Sequence, residues 1–260
     1  MIAVVDVGNT NIKFAISADG EFTQCWRISV SYDRTAAELY AILQVLVEGT
    51  GIDLRKLKGA AVSSVVPSVN NSIRELFESF LGVTPVFVTC AHSLVLDLGV
   101  HFEQKFIGSD RFADLVAART SWPNQNLLVI DMGTITVFNL LNKEGSLYGQ
   151  VLAPGLSCMT KSMSLGAALL PQVNVRGTPS KVVAGDLLSA IESGLYWGYV
   201  SMVEGTIARI VGEEKDKSLK VVATGGGSVF VKSCPHVYAV DELLTLKGIL
   251  HIYTKLQMLH

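Results

Sequence analysis

Charge is scarce in this sequence. Only 17% of its 260 residues are Asp, Glu, Lys or Arg, and the formal net charge is −2. Such a balance gives no electrostatic footing for nucleic acid or for an anionic membrane surface. Cysteine is scarce too: Cys25, Cys90, Cys158 and Cys234 stand far apart and form no Cys-x-x-Cys pair. That spacing argues against a zinc site, and reduced thiols in the cytosol are the expectation. No apolar stretch reaches the length of a membrane span. The N-terminal apolar run has no basic region before it and is broken by Asp6, which argues against a secretory signal. What remains is 49% hydrophobic. It reads as a soluble, cytoplasmic, well-buried globular protein, long enough for two domains of roughly 120 residues.

The most informative stretch is the first ten residues. Residues 2–5 form a short β-branched run, which reads as a strand buried on both faces and stopping at Asp6. Gly8 then opens a tight turn bearing Asn9 and Thr10. The pattern returns about half a chain later: Leu127-Leu-Val-Ile130 leads into Asp131-Met-Gly133-Thr134. A single Asp-x-Gly-x-Thr is weak, because these are ordinary turn residues. Two copies, each after a buried strand, point to two related lobes. A glycine at a strand end lets backbone N–H groups approach an anion, and Thr10 and Thr134 offer hydroxyls, so phosphate is the expected ligand. The carboxylates would then hold a hard cation or the waters that bridge to it.

In chain order, residues 11–16 and 21–30 continue the first strand as a meander. Thr35 and Glu38 form a capping box for a helix whose apolar face carries Leu39, Ile42, Leu43 and Leu46. A strand at 60–66, an amphipathic helix at 71–81 and a strand at 85–88 follow. The first half is thus a mixed sheet flanked by helices. Gly108-Ser109-Asp110-Arg111 opens a helix at 112–120. Ser and Asp there are read equally as helix caps or, with Gly108 and Arg111, as an anion site containing a proton-accepting carboxylate. The polar break at 123–126 divides the chain into lobes 1–122 and 123–260. The second lobe repeats the meander (127–130, 137–141, 147–152). It adds helices at 157–168 and 186–210, a buried strand at 219–223 running into Thr224-Gly225-Gly226-Gly227-Ser228, and a closing amphipathic helix at 243–259.

Together, Asp6-Val-Gly-Asn-Thr10, Ser64-Val-Val-Pro67, Gly108-Ser-Asp-Arg111, Asp131-Met-Gly-Thr134, Pro154-Gly155, Gly194-Leu-Tyr-Trp-Gly198 and Thr224-Gly-Gly226 resemble the motifs of type III pantothenate kinases, in order and spacing. The resemblance spans nearly the whole chain. It implies an α/β fold of the acetate and sugar kinase/Hsp70/actin superfamily (ASKHA, actin-like ATPase). Members have two ribonuclease-H-like lobes of mixed sheets flanked by helices, with nucleotide bound between them. It also implies transfer of phosphate from ATP, with Mg²⁺, to pantothenate. Asp6, Val7, Gly8, Asn9, Thr10, Asn11, Ile12 and Lys13 would form the first phosphate loop, with Asp6 organising Mg²⁺. Thr134, Gly225 and Gly226 would contact ATP, and Asp131 would hold a monovalent cation, K⁺ or NH₄⁺. Gly108, Ser109, Asp110 and Arg111 would hold pantothenate, with Asp110 as base. The family is dimeric, and the 194–205 helix is a candidate contributor to the dimer.

Three departures accompany the resemblance. His101 stands where the family usually has Tyr, Leu187 where it has a pantothenate-contacting Thr, and Ile135, Val137 and Asn139 replace Ala, Thr and Asp past the second loop. Replacing a polar contact by Leu removes about 0.5–1.5 kcal/mol of hydrogen bonding. Two further readings therefore compete with pantothenate kinase: a nucleotide-binding regulatory homologue without catalysis, and a sugar or acid kinase of the same superfamily.

Overall fold

The computed structural model describes residues 1–94, 96–102, 107–167, 169–175, 177–214 and 218–259. The chain divides into two units. The first comprises Met1–Gly99, Gln104–Ala117 and Leu244–His260, and the second Val100–Glu103 and Ala118–Leu243.

The first unit is built on β1 (Ile2–Val7), which lies between two neighbours. It pairs antiparallel with β2 (Asn11–Ala18) and parallel with β4 (Gly59–Ser64). β3 (Glu21–Ser29) and β5 (Pro85–Phe87) complete the order β3-β2-β1-β4-β5. The β2–β3 turn is Asp19-Gly20, both with positive φ (51° and 89°), the two-residue geometry that matches strand twist. Residues 21–30, read as one or two strands, form one. β1 continues past its expected end at Asp6, because Asp6 and Val7 still pair with Lys13 and Ile12 on one side and with Ser63 and Ser64 on the other.

Side chains alternate across the sheet. Ala3, Val5, Val7, Ala60 and Val62 face a core closed by α1 (Ala36–Val47), α2 (Asn70–Glu75) and the turn that follows α2, through Leu39, Leu43, Ile73 and Phe77. The capping box is present: Thr35 Oγ1 accepts the Glu38 N–H at 3.3 Å, and Glu38 accepts the Thr35 N–H at 2.8 Å. The expected 71–81 helix is α-helical only to Glu75, with a wide π turn over Leu76–Phe80. Val4, Asp6, Ala61 and Ser63 alternate onto the opposite face.

The second unit repeats the plan. Its sheet has the order β10-β9-β6-β7-β8, from β6 (Leu127–Met132), β7 (Ile135–Leu141), β8 (Leu147–Pro154), β9 (Lys220–Thr224) and β10 (Val237–Val240). Each sheet is thus an antiparallel meander continued by two parallel strands, which fits the expected ribonuclease-H-like lobes. β10 had no counterpart among the expected strands, being only four residues long. Leu128, Ile130 and Met132 pack against α5 (Leu187–Glu214) through Tyr199, Val203 and Ile207. α4 (Leu156–Gly166) follows the meander, and residues 169–186 are irregular apart from the undescribed 176.

Two helices depart from the expected plan. α3 (Ser109–Ser121) begins three residues before the predicted Phe112, and the division between the units runs through it, close to the expected boundary at 122. α6 (Leu244–Gln257), assigned by chain order to the second lobe, belongs to the first, where it packs on β1 and β4. The reason is close packing: a Cβ on Gly248 would lie 1.9 Å from the Ala113 carbonyl oxygen of α3. No described helix is long and apolar enough to cross a membrane.

Gly248→Ala would force α6 off α3. Overpacking of this kind costs about 1–3 kcal/mol, so a lower urea unfolding midpoint is expected, with the first unit affected first in hydrogen exchange.

Candidate functional site

At the end of the first unit's central strand, the turn after β1 is closed by the Gly8 N–H donating to the Asn11 carbonyl at 3.0 Å. Asn9 and Thr10 are exposed at its tip, Gly8, Asn11 and Lys13 are half-buried, and Val7 and Ile12 are buried. The loop is therefore anchored by apolar side chains and presents backbone and polar groups outward.

Asp6 lies under this turn, 8% exposed. Its Oδ2 is 3.9 Å from Lys13 Nζ, and Oδ1 is buried with no hydrogen-bond partner. Burial pushes its pKa from 3.8 up to about 6; Lys13 opposes that rise and the charge of Asp110 adds to it. A buried carboxylate with an orphaned oxygen is a group in want of a cation or donor. Among the described residues no three His, Cys, Asp or Glu side chains gather into a metal cage. The arrangement suits Mg²⁺, which is commonly held by one or two carboxylates plus phosphate oxygens and water.

Asp110 comes from the first turn of α3. The Phe112 N–H donates to the Gly108 carbonyl at 2.9 Å, so Gly108 stands at the helix start without a side chain to cap it. Ser109 does not cap the helix either; its Oγ donates to the Ser64 carbonyl at 3.1 Å and accepts from Ser63 Oγ at 2.9 Å. Asp110 Oδ1 accepts the Arg111 N–H at 2.7 Å and lies over Gly108, where a Cβ would meet it at 2.5 Å. The structure thus gathers Asp6, Lys13, Gly108, Ser109 and Asp110 within the first unit.

In the second unit Asp131 lies one residue before the end of β6, with Val137 and Thr224 as neighbours in register. Gly133 N–H donates to the Ile135 carbonyl at 3.2 Å, and Gly155 N–H to the Thr134 carbonyl at 3.0 Å. A Cβ on Gly155 would stand 2.1 Å from the Gly133 oxygen. The glycine run packs on the same strand end: Gly227 N–H donates to the Met132 carbonyl at 2.9 Å. Gly225 has φ +83°, and a Cβ there would lie 2.6 Å from Asp131 Oδ1. Gly226 is exposed beside it. Beneath the loops, Thr136 Oγ1 and the Tyr199 hydroxyl are hydrogen-bonded at 2.8 Å. Burial pushes the Tyr199 phenol up to about 12, so it stays neutral. Ser63, Thr136, Tyr199 and Thr224 were not expected from sequence as site residues, because their places depend on strand register.

Asp131, Thr134, Gly225 and Gly226 accordingly belong to the second unit. His101 and Leu187 belong there too, apart from the Gly108–Arg111 turn in the division of the chain. His101 is exposed; its backbone pairs with the β7–β8 turn through Gly145 and Leu147, at 2.8 Å each. Leu187 is 55% exposed, at the first position of α5.

The family model for type III pantothenate kinase matches residues 2–209. A type III pantothenate kinase of Anaplasma phagocytophilum (strain HZ) is 59% identical over 256 residues, covering 98% of this chain and 97% of that protein. This chain belongs to the type III pantothenate kinase family. The Anaplasma marginale (strain St. Maries) member is 50% identical over 258 residues, covering 99% and 100%. Among solved structures, the activator of 2-hydroxyisocaproyl-CoA dehydratase from Clostridium difficile, with bound ADPNP, superposes with a TM-score of 0.54. It is 14% identical and covers 99% of this chain and 96% of its own. That likeness supports the actin-like ATPase fold. Family membership disfavours the regulatory reading and the reading as a sugar or acid kinase of the same superfamily.

The Asp6 carboxyl sets a pH dependence whose sign is fixed. Its folded-state pKa lies above the unfolded value, so the protonated form stabilises the fold fully below 3.8, and that stability is lost as pH rises through about 6. The loss is about 3 kcal/mol at most. Asp6→Asn is therefore expected to be more stable than the parent by about 1–3 kcal/mol at pH 7.5, with the difference vanishing near pH 4. Urea unfolding at the two pH values measures it.

Proposed function

We propose that this chain transfers the γ-phosphoryl group of ATP to the primary hydroxyl of pantothenate, giving 4′-phosphopantothenate, the first step towards coenzyme A. The observation that carries the reading is the buried Asp6 with its unpartnered oxygen, beside Lys13 and under the charge of Asp110. In phosphoryl transfer the protein's task is chiefly to position the reactants and neutralise charge. The 6–13 loop offers the backbone N–H groups and Lys13 for the phosphates, and Asp6 would hold Mg²⁺. A bound Mg²⁺ neutralises charge on the phosphate oxygens. Thr134, Gly225 and Gly226 would serve the nucleotide, and Asp131 would hold K⁺ or NH₄⁺. Gly108, Ser109 and Arg111 take pantothenate, with His101 and Leu187 in the places of the family's Tyr and Thr. Asp110 Oδ1 is already engaged by the Arg111 N–H, so Oδ2 is the oxygen that takes the hydroxyl proton.

We also infer a homodimer, in the cytoplasm. Leu165, Leu169, Val182, Val183, Leu187 and Leu188 are exposed in one stretch of the second unit. Gly194 and Gly198 on α5 have no neighbouring atom within 4 Å of an added Cβ. An apolar surface with open glycine positions suits close approach of a second copy.

Purified protein with ATP, pantothenate, Mg²⁺ and K⁺ is expected to turn over, and Asp110→Asn to lower kcat by about 10²–10⁴. Omitting K⁺ should weaken ATP use in the parent. Full activity in Asp110→Asn would remove that residue from its role. Analytical ultracentrifugation at about 56 kDa, twice the 28.0 kDa chain, checks the dimer.

A further inference from the structure

Ser63 holds in β4 the register that Asp6 holds in β1. The two are partners in a parallel pair, so their side chains leave the same face of the sheet. Lys13, the antiparallel partner of Asp6, lies on that face as well. Ser63 is fully buried, and its hydroxyl donates to Ser109, 46 residues away in sequence, which in turn donates to the Ser64 carbonyl. These two bonds tie the first turn of α3 to the end of β4. Beside them Gly108 has no side chain, and Asp110 Oδ1 is turned back onto the Arg111 N–H. Packing alone does not call for the hydroxyls, since alanines would fill a small buried site. A paired hydroxyl adds direction, and an unpaired one is penalised, so the first turn is held in one place.

Asp110 stands in that first turn, one residue past Ser109, so its place over the Gly108 backbone follows from the two bonds. We propose that Ser63 is a positioning residue for phosphoryl transfer, acting through Ser109 to hold the turn that carries Asp110. The inference rests on the roles of Asp6 and Asp110 given above.

Three variants separate the inference from that reading: Ser63→Ala, Ser109→Ala and Asp110→Asn. Ser63→Ala is expected to lower kcat/KM for pantothenate by about 10- to 100-fold, the scale on which small misplacements act. KM for ATP should stay near the parental value, since the 6–13 loop is untouched. The loss should be confined to pantothenate use, with the urea midpoint lowered no more than in Ser109→Ala, a split that general destabilisation does not produce. Ser63→Ala combined with Ser109→Ala should be no worse than Ser109→Ala alone, because one acts through the other. Parental kcat/KM in Ser63→Ala, with Asp110→Asn inactive, would overturn the inference and leave the site assignment standing. Activity lost towards ATP and pantothenate alike, with a lowered urea midpoint, would overturn it too, as general destabilisation. Parental turnover in Asp110→Asn would bring down the site reading and the inference with it.

Discussion

The structure depends on a carboxylate held out of water at the end of a buried central strand. Asp6 is almost wholly covered, half-answered by a lysine at the edge of ion-pair distance, and left with one oxygen that no protein donor reaches. Such a group weakens the fold at neutral pH. Its persistence is understandable where a ligand completes it, because a cation and a phosphate brought to the same spot supply what the protein withholds. The strand can carry this burden because it is central, paired on both sides and packed by helices on both faces.

The second unit repeats the device with different partners. Both central strands carry an Asp one residue before their end, and in both the parallel neighbour carries a hydroxyl in the same register, Ser63 beside Asp6 and Thr224 beside Asp131. The antiparallel neighbours differ, Lys13 in one and Val137 in the other. So do the hydroxyls: Ser63 is bonded to a helix that carries a second carboxylate, whereas Thr224 Oγ1 is buried without a partner under the glycine run. One topology thus provides two carboxylate sites of different character. The first has a cationic side chain and the helix that carries Asp110 beside it. The second is enclosed by backbone, with Gly225 pressed against the carboxylate where no other residue would fit.

Most of the elements were legible because their signals are local. The β-branched runs at 2–5 and 127–130, the Thr35–Glu38 box and the strand leading into three glycines each contain the cause of their own conformation. Errors came where the cause lay elsewhere. β1 and β6 run further than their apolar runs because neighbouring strands continue to pair. α3 starts early because Ser109 is fixed from β4, not by a cap of its own. The last helix packs on the first unit because Gly248 allows backbone contact with Ala113, a choice that an amphipathic pattern cannot express.

The sequence by itself determined that there are two lobes with a carboxylate and a phosphate-sized turn in each, and it placed the chain in its family. These follow from short motifs whose chemistry is carried by adjacent residues. Tertiary structure decided which side chains stand beside those carboxylates: Lys13 and Asp110 around Asp6, Thr224 and Gly225 around Asp131, and Ser63 under the helix that bears Asp110. Apart from Lys13, seven residues on in the hairpin, those neighbours are set by strand register and by helix contacts across 46 or more residues of chain. No local preference encodes such distances; only burial of both sheet faces at once selects them.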